Sequence, residues 1–354
     1  AIKQLKGRNA KNRLFRFEQG VLASFAVDTM EIYMTTQLKG QETYFLPFNM
    51  GKGEGIDMGS GNPHNPNGVD TEYLWLDVLT KDSILQLIES FIFFELDKND
   101  HKKRTLIFPR YHQRRAVSRL LEDMKVNHTD SNYLIQHSAG SGKTNTIAWL
   151  AHSLVSLHDD QNRNIVDTVL IVTDRIVVDR QLQDAVRQIN HKNGVVKVMG
   201  DRETSSDLAD AIAGNTKIIA TTIHKFAQIN QSDWMSVGNT ANKKFAILID
   251  EAHSSTTGSY MSSVSQVLTE TDPENGTIDE VQEVTVADAI EQEIARTGKQ
   301  DNVSIIAFTA TPKATTLQLF GTTQPDGSKA PFDVYSMKQA IEEGFILDVL
   351  DNYT

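Results

Sequence analysis

The sequence predicts an α/β protein whose larger part is a parallel sheet with helices on both faces, preceded by a smaller region of mixed strand and helix. Three observations lead there. Beyond residue 105 the chain carries short β-branched runs, YLIQ (133–136), VDTVLIVT (166–173), VVKVM (195–199), KIIATT (217–222), FAILID (245–250) and VSIIAFTA (303–310), and most lack the polar alternation of a half-exposed strand. Helical stretches separate most of these runs, the arrangement that buries parallel strands on both faces. A glycine-rich turn and then a helix follow the first run, which is the order a phosphate cradle needs.

Composition bounds the rest. A chain of 354 residues, 39% hydrophobic and 23% charged, has material for one large or two ordinary domains. The 21 glycines and 8 prolines exclude collagen-like and wholly disordered classes. With no cysteine, disulfides, thiolate catalysis and Cys-built zinc sites are excluded, and a reducing compartment fits. The formal charge of −11 gives no overall basic footprint, although a motor enzyme can confine positive charge to one groove. No apolar run reaches membrane-spanning length and no signal peptide opens the chain, so a cytoplasmic protein with no membrane partner is expected. The initial Ala1 suggests a processed or excised fragment.

Taken in order, residues 12–48 read as strand material: LFRF, then VLASFAVDTMEIYMTTQL, with Asp28 and Thr29 as a hairpin turn. Six glycines and two prolines between Gly51 and Gly68 show no periodicity and read as a long surface loop. Leu79 to Phe94 carries Ile84, Leu87, Ile88 and Phe91 at helical spacing and reads as one core-facing helix, with Phe93 and Phe94 as core aromatics. HKKR at 101–104 reads as a charged linker and the boundary between domains. Arg110, Arg114 and Arg115 there are equally a DNA-backbone contact or a solvated face. The acidic stretch 271–301, with PENG, reads as a surface excursion. After Pro312 come a closing strand at FDVYS, a helix at MKQAIEEG and an exit strand at ILDVL. The expected domains are 1–100, 101–340 and a short connecting stretch, 341–354.

Two motifs carry chemistry. In HSAGSGKT (137–144), Gly140 and Gly142 let the backbone curl its N–H groups around anionic oxygens, with Ser141 between them. Lys143 would reach the β and γ phosphates and Thr144 would offer a hydroxyl to Mg²⁺ at the helix N-terminus. The general pattern GxxxxGK[ST] is missed at its first position, where His137 stands. In FAILIDEAHSS (245–255), Asp250 and Glu251 close an apolar strand at the carboxyl edge of a parallel sheet, where ligands bind in this architecture. Asp250 would hold Mg²⁺ through water and Glu251 would orient or deprotonate the attacking water. Alone, the pair could cap the next helix.

These motifs, with those below, resemble the helicase superfamily 2 (DEAD/DEAH-type) motors, and more closely the motor/endonuclease (R) subunit of type I restriction enzymes. The resemblance covers about residues 105–350 and implies a RecA-like P-loop NTPase lobe using ATP and Mg²⁺. It assigns Asp250, Glu251, Ala252 and His253 to the DEAH motif, and Thr309, Ala310 and Thr311 to the TAT motif that couples ATP state to DNA grip. Gln113 in RYHQRRA would read adenine, with Tyr111 a candidate base contact. Thr173, Asp174 and Arg175 (VTDRIVVDRQL), and Thr221, Thr222 and His224 (ATTIHKF), match DNA-contacting motifs. A His at position 137 is ordinary in this family.

The first hundred residues also look like that subunit, as the tail of its mixed α/β nuclease domain. Of the family's nuclease residues, Gln4 matches a glutamine whose fourth neighbour should be Tyr and is Arg8 here. No Lys lies two residues after Glu18, Asp28, Glu31 or Glu42 to make ExK. The resemblance therefore implies a fragment that does not cut DNA by itself, lacks the second lobe with its trans-acting arginines, and turns ATP over slowly. It implies duplex DNA, a methyltransferase subunit and a specificity subunit as partners. Two other classes stay open: a stand-alone superfamily 2 helicase or remodeller, and a nucleotide-dependent DNA-binding module without turnover.

Overall fold

The structure, a computed structural model, describes residues 1–97, 100, 103–129, 131–173, 180–189, 195–200, 202–222, 225, 243–251 and 302–347. The chain forms two compact units, one of residues 1–115, 139–141 and 335–354, the other of 116–138 and 142–334.

In the first unit a short helix α1 (Ile2–Lys6) precedes β1 (Ser24–Val27), β2 (Ile32–Thr35) and β3 (Leu46–Pro47), which form an antiparallel sheet in that order. The expected turn at Asp28 is present: its carboxylate accepts from the N–H groups of Met30 (2.9 Å) and Glu31 (2.8 Å), which holds its pKa below the ordinary value. Edge-to-face contacts join Phe48 to Phe25, Phe108 and Tyr111, and Tyr111 to Tyr73, and form the core.

Several sequence expectations for this region are corrected. LFRF lies outside any strand, with Leu14 exposed. The stretch 51–68 is a largely exposed loop, as expected, and is anchored by buried Asn62, whose amide donates to Met30 O and Asn49 Oδ1 while its oxygen accepts from Met50 N. The single helix 79–94 is instead α2 (Lys81–Gln86) followed by a π-helical turn, Leu87–Phe91. That widened turn buries Leu87 and Phe91 but leaves Ile88 52% exposed. Phe93 and Phe94 start β4 (Phe93–Leu96), and the presumed linker contributes Arg104 to β5 (Arg104–Ile107), its antiparallel partner. Phe94 is only partly covered, with the Arg104 guanidinium 4.7 Å from its ring centre.

Helix α3 (Tyr111–Asn127) carries the chain into the second unit. There a seven-stranded sheet is built from β6 (Tyr133–His137), β7 (Thr168–Thr173), β8 (Val196–Val198), β9 (Ile218–Thr222), β10 (Phe245–Asp250) and β11 (Val303–Thr309), with one further strand at its edge. All six β-branched runs named above are strands of this one sheet. The order β6-β11-β10-β7-β9-β8 is parallel throughout. The connecting helices α4 (Lys143–Leu154), α5 (Arg180–Ile189) and α6 (Ser205–Ala213) follow β6, β7 and β8. Every residue of β7 and β9 is buried, which is why these strands lack polar alternation. Leu170, Val172, Ile219, Ile247, Ile249 and Ala307 join Leu208 and Ile212 of α6 in one apolar cluster. A capping box starts α6, with Thr204 Oγ1 accepting from Asp207 N and the Asp207 carboxylate accepting from Thr204 N.

After β11 come α7 (Ala314–Phe320) and a small hairpin, β12 (Thr322–Thr323) and β13 (Lys329–Ala330). FDVYS forms β14 (Asp333–Tyr335), the edge strand beside β6, and MKQAIEEG forms α8 (Met337–Glu342). Of the expected exit strand, Ile346 and Leu347 lie outside any strand and the remainder is outside the described residues, as is the stretch 271–301.

Candidate nucleotide site

Strand β6 ends at His137 and α4 begins at Lys143, so residues 138–142 form the loop between a core strand and a helix N-terminus. Gly140 and Gly142 both have left-handed backbones, φ +70 and +79, which glycine adopts without penalty. At Gly140 space matters too: a Cβ would stand 3.0 Å from Ile346 Cγ2. Lys143 and Thr144 occupy the first turn of α4, where backbone N–H groups lack intrahelical acceptors and favour an anion.

Within the second unit the sheet brings most described candidates to one edge. Asp250 is in register with Thr173 of β7 and Phe308 of β11, and Thr173 with Thr222 of β9. Thr309, one residue beyond Phe308, ends β11 beside Gln136 of β6. Asp250, Thr173, Thr222 and Thr309 thus share the carboxyl edge. Lys143 Nζ lies 3.4 Å from Glu251 Oε1 and 3.4 Å from the carbonyl oxygen of His137. Glu251 has φ +57, a left-handed conformation that L-residues rarely take and that tends to cluster at functional positions. The side chains of Thr173, Thr222 and Thr309 are buried. Thr222 Oγ1 accepts from Lys225 N at 3.4 Å and Thr309 Oγ1 from Thr311 N at 3.2 Å, and Thr311 itself is exposed. Arg175, His224 and His253 lie outside the described residues.

Within the first unit, the start of α3 holds the loop by its carbonyls. Gln113 is buried, donates from Nε2 to Ser141 O at 3.2 Å and accepts Arg110 N at 2.9 Å. The His112 ring makes a second contact to Ser141 O at 3.0 Å and stacks on Tyr335. Arg110 donates to Gly140 O at 3.0 Å, with its guanidinium 3.6 Å from the centre of the Phe345 ring. Burial pushes the Arg110 pKa down from its ordinary value. Tyr111 packs among Phe48 and Tyr73 at 5% exposure, so its ring faces are spent on the core instead of a base. Two of the arginines set between DNA contact and a solvated face are engaged within the unit: Arg114 clamps Asp77 with two 2.8 Å bonds and Arg115 donates to Met50 O. Arg110 and His112 were missed as loop supports. Basic side chains at a helix start, where acids are favoured, were the available signal.

The model of the SWI2/SNF2 ATPase family matches residues 112–353. The chain belongs to that family. A protein of Methanocaldococcus jannaschii that carries the name of a type I restriction enzyme endonuclease subunit, MjaVIIIP, is 29% identical over 212 residues, covering 56% of this chain and 20% of its own length. The chain therefore spans about one fifth of that relative. Among solved structures, a fragment named for the HsdR subunit of a type I restriction enzyme from Vibrio vulnificus is 14% identical over 96% of this chain and 47% of its own, with a TM-score of 0.37. The SWI2/SNF2 ATPase core of Sulfolobus solfataricus in complex with dsDNA is 14% identical over 60% of this chain and 34% of its own, TM-score 0.34. Both the family match and the curated relative agree with the resemblance drawn from the motifs. The parallel sheet and the loop after β6 lie within the residues that the SWI2/SNF2 ATPase model matches, and no helix among the described residues is long and apolar enough to cross a membrane.

Proposed function

We propose that this chain carries the ATP-binding lobe of a duplex-DNA translocase, in the motor and endonuclease subunit of a type I restriction complex. The observation that carries the reading is the pairing of Lys143 with Glu251 at the sheet edge where Asp250 ends β10, in a chain of the SWI2/SNF2 ATPase family. In this reading the loop Gly140–Thr144 wraps the phosphates and Gln113 contacts adenine. Lys143 leaves Glu251 for the β and γ oxygens, and Glu251 then orients and deprotonates water. The hydroxyl of Thr144 and the carboxylate of Asp250 are hard oxygen donors, and they would hold the Mg²⁺ that neutralises phosphate charge when bound. His253, Thr309 and Thr311 couple nucleotide state to DNA grip, and Thr173, Arg175, Thr222 and His224 line the backbone-gripping side. Residues 1–100 are proposed as nuclease-domain tail, 101–340 as the lobe and 341–354 as the connection onward. Methyltransferase and specificity subunits are the proposed partners, and the endonuclease-subunit relative supports them over a stand-alone remodeller.

The test is duplex-stimulated ATP hydrolysis by the full-length subunit and its Glu251→Gln variant. Losing the base should abolish hydrolysis while ATP binding is retained. Hydrolysis near the parental rate in the variant would show that water is activated elsewhere and would favour the module without turnover.

A further inference from the structure

The first position of the phosphate-loop pattern holds His137 where a glycine is usual, and that side chain is engaged deep in the second unit. His137 Nε2 lies 3.0 Å from Asp333 Oδ1, and neither side chain has any solvent exposure. The other carboxylate oxygen of Asp333 is 3.3 Å from Arg119 Nη1 of α3, a half-exposed guanidinium that also sits 5.0 Å from the centre of the Phe332 ring. Phe332 N donates to Leu134 O at 2.8 Å, so the chain entering β14 is fastened to β6 immediately before Asp333. A buried carboxylate is costly unless its oxygens are bonded, and an imidazole held by a carboxylate is fixed in orientation. The carbonyl of the same His137 is the one that Lys143 Nζ approaches at 3.4 Å.

We infer that Asp333, held by His137 and Arg119, is a positioning residue for Lys143. The buried pair fixes the backbone where β6 turns into the loop, and that backbone sets where the ammonium waits before phosphate arrives. This rests on the nucleotide-binding reading above, and it assigns a task to the edge strand that the phosphate-loop and DEAH motifs do not contain.

Titration of the protein with a fluorescent ATP analogue tests it. His137→Leu keeps bulk but removes the donor and should weaken nucleotide about tenfold, the lower end of what a charge-assisted bond to phosphate contributes. His137→Gln retains an amide donor at similar reach and should bind close to the parental protein. In a Lys143→Ala background, His137→Leu should cost little more, because the group it positions is gone. A general packing defect would weaken binding equally in both backgrounds, and that result overturns the proposal, as does equal behaviour of the Leu and Gln variants. Should His137→Leu fail to fold, Arg119→Met releases one oxygen of Asp333 from a half-exposed site and should shift affinity in the same direction; no shift there also overturns it. If Lys143→Ala itself leaves affinity unchanged, the nucleotide reading fails, and that outcome is distinct from failure of the positioning role.

Discussion

Glu251 pairs a chemical assignment with a strained backbone. Its φ of +57 costs an L-residue about 1 kcal/mol, which glycine avoids. Glu251→Gly should therefore raise stability by up to about 1 kcal/mol while abolishing hydrolysis. Urea denaturation at matched slope measures it, and a loss of stability would mean that the ion pair with Lys143 and the freedom glycine gives the unfolded chain together outweigh the strain. A second residue sets a pH response. His152 of α4 is buried with Nε2 2.6 Å from Val186 O of α5, and burial pushes its pKa below the ordinary 6.5. The unfolded chain takes up a proton there before the folded one does. The stability tied to the neutral ring is thus complete above about pH 6.5 and declines as pH falls below it toward the lowered folded value. His152→Gln should flatten denaturation midpoints between about pH 7 and pH 5 relative to the parent. An unchanged slope would show that the His152 pKa does not differ between the folded and unfolded chain.

At the scale of elements, what could be read from the sequence depended on whether local pattern and tertiary environment agreed. The runs TVLIVT and IIATT are buried on both faces, so composition alone marks them, and GSGKT between strand and helix marks the loop. Leu79–Phe94 fails because a helical period cannot reveal that the turn widens at Leu87, and the hairpin at Phe93–Ile107 fails because its partner strand hides among charges. The support given to Gly140 and Ser141 by Arg110 and His112 had a single trace in the sequence, basic side chains at a helix start, because bonds to backbone carbonyls leave no pattern of their own. The α6 start, by contrast, follows a capping pattern whose value can be measured. Thr204→Ala removes the oxygen that accepts Asp207 N and should cost about 1 kcal/mol. A change below a few tenths in thermal or urea unfolding would show that α6 is held by its apolar face alone.

For the whole molecule, a formal charge of −11 opposes close approach to a polyanion. Duplex binding by a backbone-gripping motor should be weak at physiological salt, fall steeply as salt rises and differ little between unrelated sequences. A salt series on two unrelated duplexes checks this, and a strong preference for one contradicts a motor that leaves recognition to another subunit. In the function proposed above, Lys143 and Thr144 at the start of α4 and the two acids at the end of β10 form one ATP site. Its most direct measurement is a calorimetric titration of ATP into the protein and into Lys143→Ala. Loss of the ammonium should weaken ATP by about ten- to a hundredfold, the range of a charge-assisted bond to phosphate, and leave adenosine unaffected. Equal ATP affinity in the two proteins would contradict the account.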